Sequence, residues 1–111
     1  PDGTQDQEYL EKLEYVLFEL KQLHHQMLPY DIVYYQAGVD VLQHDRLGRL
    51  SLSLQGVRER DAMVFNFCKE QNVPVVAMLG GGYSNGDKHH VDTITEAHCN
   101  TVKLMKDMYH D

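Results

Sequence analysis

Three long stretches with a helical period alternate along the chain with two short apolar runs. From about Gln5 to Leu28, Leu10, Leu13, Leu17, Leu20, Leu23 and Met27 recur at spacings of three and four, with Tyr9 and Val16 widening the stripe. That period predicts an amphipathic helix. Thr4 and Gln7 have the spacing of a capping box, Glu8 and Glu11 suit the positive end of the helix dipole, and Pro29 ends the segment. Tyr30-Asp31-Ile32-Val33-Tyr34-Tyr35-Gln36 is β-branched, aromatic and mostly apolar, the pattern of a buried parallel strand. A loop from Ala37 to about Leu52 follows. Ser53 is then the predicted N-cap of a second helix ending near Gln71, with Val57, Ala62, Val64, Phe65 and Cys68 on its buried side and Asn72 at its C-terminal end. Val73 to Leu79 reads as a second buried strand, with Pro74 near its start and Gly80-Gly81-Gly82 breaking it. The last helix runs from about Asp87 to Met108, with Val91, Ile94, His98, Val102 and Met105 on one face.

Strand, helix, strand with a long crossover predicts an α/β fold built on a βαβ unit, its strands parallel and its connection right-handed. Three helices around two strands leave a very narrow parallel sheet whose edges need covering, a hint that part of the sheet is missing.

The chain has 111 residues, room for one domain and one modest core. Its formal net charge of −7 disfavours sequence-independent nucleic-acid binding, which depends on Lys and Arg. No apolar run reaches the roughly 18 residues of a membrane span, and no signal peptide is evident. Cys68 and Cys99 make no disulfide framework and fit a reduced, cytoplasmic setting. The opening Pro1-Asp2-Gly3-Thr4, without Met, is either a processed terminus or the start of a piece of something longer.

In open parallel sheets ligands bind beyond the carboxyl ends of the strands. Two loops hold that position, Gln36 to Gly48 and Leu79 to Ser84. Asp40 follows a buried strand directly, so its carboxylate needs a partner: Arg46, or loop amides. Asp45, beside Arg46, is placed to order the loop. The three glycines allow a tight strand-to-helix turn, close approach to a ligand, or a phosphate cradle ahead of a helix. The spacing is not that of a dinucleotide fingerprint, and no Walker lysine follows. Tyr83 is held by the same turn, and a tyrosine hydroxyl can donate to a developing oxyanion.

Taken together, Gln36-Ala37-Gly38-Val39-Asp40, then Asp45-Arg46-Leu47-Gly48, then Leu79-Gly80-Gly81-Gly82-Tyr83, resemble the C-terminal part of the histone deacetylase superfamily, which includes acetoin-utilisation and acetylpolyamine amidohydrolase-like proteins. Leu50-Ser51-Leu52-Ser53, Gly56 and Arg58-Glu59-Arg60-Asp61 look most like its class IV and bacterial branch. The resemblance spans nearly all of the chain. It implies a portion of the arginase/deacetylase-type three-layer αβα fold, read as one unit over residues 1–111. It implies a parent enzyme in which Asp, His and Asp hold a catalytic zinc ion that acts on an acylated amine. By that resemblance Asp40 matches the last zinc ligand. Tyr83 matches the tyrosine that polarises the acyl carbonyl. Gly81 and Gly82 match the residues lining the acyl tunnel, and Asp45, Arg46 and Gly48 shape the loop.

The family's paired histidines and its Asp-x-His have no counterpart in matching context. His24-His25 and His89-His90 read as helix residues near the surface, His44 as a loop residue near the site, and His98 as a packed or partly buried residue of the third helix. One ligand of three, without the base, implies a chain that is inactive alone and binds little or no zinc. The alternative is a non-catalytic α/β binding or interaction protein, a homo-oligomer paired through its exposed sheet edge. A phosphate or nucleotide ligand at the glycine loop is a third, weaker reading.

Overall fold

The computed structural model describes residues 1–26, 29–84 and 86–109. Its elements are α1 (Asp6–Gln26), β1 (Val33–Gly38), α2 (Leu54–Glu70), β2 (Val75–Gly80) and α3 (Lys88–Tyr109). β1 and β2 pair in parallel, in the register Val33↔Val75 to Gly38↔Gly80. The α/β class and the parallel βαβ unit therefore stand. Among the described residues no helix is long and apolar enough to cross a membrane.

Polar caps fix the crossover helix at both ends. Ser53 has extended backbone angles and its side chain accepts the Gly56 N–H, a cap worth about 1 kcal/mol. At the other end Asn72 takes a left-handed φ of 56°, and the Asn72 and Val73 N–H groups return to the carbonyls of Lys69 and Cys68. This is a Schellman closure, with asparagine in the place glycine usually takes. Asp6, at the start of α1, accepts from the backbone N–H and the hydroxyl of Ser53, so the amino ends of α1 and α2 are tied together. The predicted capping box is not formed. Thr4 donates to the Pro1 carbonyl and the Gln7 amide reaches Glu11.

The sheet has one covered face. Val64, Phe67 and Cys68 of α2 pack on Val33, Tyr35 and Val75, and Leu13, Leu17 and Leu20 of α1 close over them. The opposite face carries Tyr34, Val76 and Met78, all exposed, with Tyr34 at 66%. Both strands were expected to be buried on two sides; only one side is. β1 also begins later than expected. Its first ladder bond is from Val33 N–H to the Pro74 carbonyl, and Asp31 and Ile32 stay exposed. It runs on to Gly38, opposite Gly80.

A second apolar cluster lies at the carboxyl end of the sheet, where Val39, Leu42, Leu52, Val57 and Ala97 are fully buried. Leu42 and Leu52 form an isolated parallel bridge. The stretch expected as a loop rich in charge and glycine thus also supplies much of the core.

α1 keeps its predicted leucine stripe toward the core, whereas α3 is turned in part from its predicted orientation. On α3 the buried residues are His90, Ala97 and Thr101, while Val91 and Val102 are 44% and 54% exposed. On α1, Val16 is exposed and no described residue is fully buried. Met27 and Leu28, expected at its end, lie outside the described residues.

Buried charge sits between these layers. Asp61 and Arg60 are almost wholly inaccessible and form an ion pair at 3.0 Å. Asp61 also accepts from the hydroxyls of Tyr35 on β1 and Thr101 on α3. Burial, with Asp61 alongside, raises the Tyr35 phenol well above the usual tyrosine range, so it remains a donor.

Asp61→Ala strands the Arg60 charge in the core and is expected to cost about 3–5 kcal/mol, read by urea denaturation. Thr101→Val, which removes the hydroxyl donor from Asp61 Oδ2, is expected to cost about 1.5–3 kcal/mol. Cys68 is buried, which pushes its thiol pKa up, whereas Cys99 is exposed. Alkylation of the folded chain is therefore expected at Cys99 alone, with Cys68 modified only in denaturant, as mass spectrometry would read.

Candidate active site

The loops leaving β1 and β2 lie side by side because the strands are in register to their last residues. The Val39 N–H donates to the Gly80 carbonyl at 3.1 Å, one step past the ladder. Asp40 follows, half-buried. Its carboxylate sits in a notch between backbones. A Cβ on Gly38 would stand 3.0 Å from Oδ1, and one on Gly81 would stand 2.9 Å from it. Gly81 also has φ +66°, so two constraints select glycine there. A Cβ on Gly82 would meet Val39 and Ile94, each at 2.8 Å. The first requirement for glycine at 81 and 82 is thus the protein's own packing.

Neither partner expected for Asp40 is present. Among the described residues its carboxylate makes no ion pair with Arg46 and no hydrogen bond to a loop amide. The amides are taken by Asp45 instead. Asp45 is buried, and its Oδ2 accepts from the N–H groups of Leu47 at 3.0 Å and Gly48 at 2.8 Å. Its Oδ1 accepts the N–H of Tyr83 at 2.6 Å. The Arg46 N–H donates to the Tyr83 carbonyl at 2.9 Å, while its side chain points to solvent. Asp45 was expected to order its loop beside Arg46. It orders both loops, through backbone groups. Gly48 is packed against the same turn, where a Cβ would lie 1.8 Å from the Asp40 carbonyl oxygen. Tyr83 is therefore gripped by its main chain, with its side chain 40% exposed.

The histidines do not gather at Asp40. His24 lies at the opposite, amino-terminal end of β1, where its Nδ1 accepts the Tyr30 N–H at 2.8 Å and its ring stacks on Tyr30. His98 is half-buried, as expected. His90 was expected near the surface and is instead 5% exposed, because α3 is rotated toward the core. His44, with φ 68°, lines a cavity of about 190 Å³ together with Asp87, His89 and His90. Asp87 begins α3 by accepting the His89 N–H at 3.0 Å. Among the described residues no three His, Cys, Asp or Glu side chains come close enough to hold a metal ion.

Sequence reasoning missed Arg60. Its Nη1 donates to the Gly38 carbonyl at 2.6 Å, directly behind the Asp40 turn. Arg58-Glu59-Arg60-Asp61 entered only as part of the family resemblance; the signal for burial was an Arg-Asp dipeptide on the apolar side of α2, flanked by Val57 and Val64 at helical spacing.

Asp45→Asn replaces an acceptor of three N–H groups with a side chain offering one acceptor oxygen and an NH2 group that only donates. A loss of about 1.5–3 kcal/mol is expected. Faster amide exchange at Leu47, Gly48 and Tyr83, with β-ladder amides less affected, would locate it.

The profile of the histone deacetylase domain matches residues 1–102. Histone deacetylase 2 of Arabidopsis thaliana is 42% identical over 81 residues, which are 73% of this chain and 20% of that protein. An uncharacterised protein of Picosynechococcus sp. is 38% identical over 84 residues, 76% of this chain and 27% of that one. Histone deacetylase clr6 of Schizosaccharomyces pombe is 32% identical over 83 residues, 75% and 18% respectively. The chain thus spans about a quarter or less of the length of these relatives, and across most of its own length it belongs to the histone deacetylase family.

Proposed function

We propose that this chain is the C-terminal part of a zinc-dependent deacetylase of the class IV or bacterial type, acting on acyl-lysine-like amides. The observation that carries this reading is the pairing of two loops at the carboxyl ends of β1 and β2. One presents a half-buried carboxylate that makes no hydrogen bond or ion pair among the described residues, and the other presents Tyr83.

Asp40 fits a zinc ion as one ligand. It is an oxygen donor, set in a notch that the glycines at 38 and 81 leave open. The described residues do not complete a site. On this reading the remaining ligands and the general base come from outside this segment, and the isolated chain is inactive and holds little zinc. Zinc, when bound, polarises the acyl carbonyl and activates water. Asp40 contributes charge and orientation toward it. The Tyr83 hydroxyl donates to the oxygen of the carbonyl under attack, where negative charge develops. Gly81 and Gly82 leave the acyl path without side chains. Asp45, with Arg46 and Gly48, keeps both loops in one relation, so that ligand and donor do not drift apart.

Deacetylation of an acetyl-lysine peptide by the full-length protein tests this. Tyr83→Phe is expected to lower kcat by roughly 10²–10³-fold with zinc retained. Asp40→Ala is expected to lose the zinc itself, read by elemental analysis. Full activity in Tyr83→Phe would overturn the assignment.

A second reading is favoured by the bare sheet face of Tyr34, Val76 and Met78. It is a non-catalytic, cytoplasmic interaction protein that pairs with a second copy across that face and the free sheet edge. Light scattering on the purified chain separates the two. A stable dimer supports this reading, and a folded monomer counts against it.

A further inference from the structure

We infer that Arg60 is a positioning residue for Asp40: its guanidinium pins the peptide unit that precedes the Asp40 turn. The inference rests on Asp40 being the zinc ligand.

The peptide joining Gly38 and Val39 is held at both ends. Its carbonyl oxygen accepts from Arg60 Nη1 at 2.6 Å, and its N–H donates to the Gly80 carbonyl at 3.1 Å. A peptide unit is planar, so two such bonds fix its orientation and hence the direction in which the chain enters residue 40. The second bond leads straight to the glycine loop, since Gly80 immediately precedes Gly81. The Oδ1 of Asp40 lies 3.0 Å from where a Gly38 Cβ would stand, so a small rotation of this peptide moves the carboxylate within its notch.

Arg60 is itself held on several sides. Its Nε and Nη2 donate to Asp61 at 3.2 and 3.0 Å, and it lies over the Tyr35 ring at 5.6 Å. The side chain is used as a planar fork, two donors on Asp61 and one on the backbone. Lysine, a point charge on a flexible stem, cannot reproduce this. The paired carbonyl at the end of β2, that of Gly80, is met by a backbone donor. The Gly38 carbonyl is met by a buried cation, although a neutral donor would satisfy it at far lower desolvation cost. The arrangement gains rigidity at that carbonyl.

The test measures zinc affinity of the full-length protein by competition with a chelator. Wild type, Arg60→Lys and Thr101→Val are compared well below their unfolding transitions. Thr101→Val weakens the same buried network through Asp61 but leaves the bond from Arg60 to Gly38 in place. Arg60→Lys is expected to bind zinc roughly tenfold more weakly, while Thr101→Val stays within about twofold of wild type. Unchanged affinity in Arg60→Lys, or an equal loss in both variants, overturns the inference. If Arg60→Lys does not fold, the double variant Arg60→Gln/Asp61→Asn buries no charge and takes its place. The same loss is expected of it, and wild-type affinity would overturn the inference. A wild-type protein that takes up no zinc overturns the proposed function, and this inference with it.

Discussion

The Asp61 carboxylate, inaccessible to solvent, receives hydrogen bonds from Tyr35 on β1, from Arg60 beside it on α2, and from Thr101 on α3. Bringing an ion pair into a core costs several kcal/mol per ion before its partners compensate. It is tolerated here because both oxygens are hydrogen-bonded, Oδ1 by Tyr35 and Arg60 and Oδ2 by Thr101. Apolar contacts between a helix and a sheet are permissive of small slides; a set of directed bonds to one carboxylate is not. The crossover helix, the last helix and the first strand therefore meet in one relative placement. From that junction Arg60 reaches the end of β1, where the first of the two loops begins.

What the sequence disclosed follows from how local each signal is. The leucine stripe of α1, the Ser53 cap, the αL residue after α2 and the glycine break after β2 are set by neighbours within a few positions. Val91, Val102 and Asp61 illustrate the opposite case. The face of α3 that turns inward is chosen by what meets it, and the partner of Thr101 lies 40 positions earlier in the chain. Ala97 and Thr101 are small, so α3 packs closely on α2, and that contact outweighs Val91 and Val102, which stay outside. Arg60-Asp61 has the composition of a solvated face, and only its helical phase between Val57 and Val64 says otherwise.

At the candidate site the residue types were legible and their partners were not. Asp40, Asp45, Gly81, Gly82 and Tyr83 stood out by position after predicted strands. That Asp45 would bridge both loops could not be read, because Tyr83 is 38 residues away and contributes a backbone group, which leaves no trace in side-chain identity. The glycines show how one residue type satisfies two demands. Positive φ and close approach to Asp40, Val39 and Ile94 already require glycine, whatever else passes along that surface.

The grip on Tyr83 through its N–H and carbonyl has a consequence for how such a site changes over time. The clamp would hold any residue at that position equally well, so a substitution there alters the chemistry presented to a ligand without unfolding the loop. At Asp45 the reverse holds, since the side chain itself is the clamp. Substitution at position 83 can therefore vary the side chain that this loop presents while the mounting stays fixed.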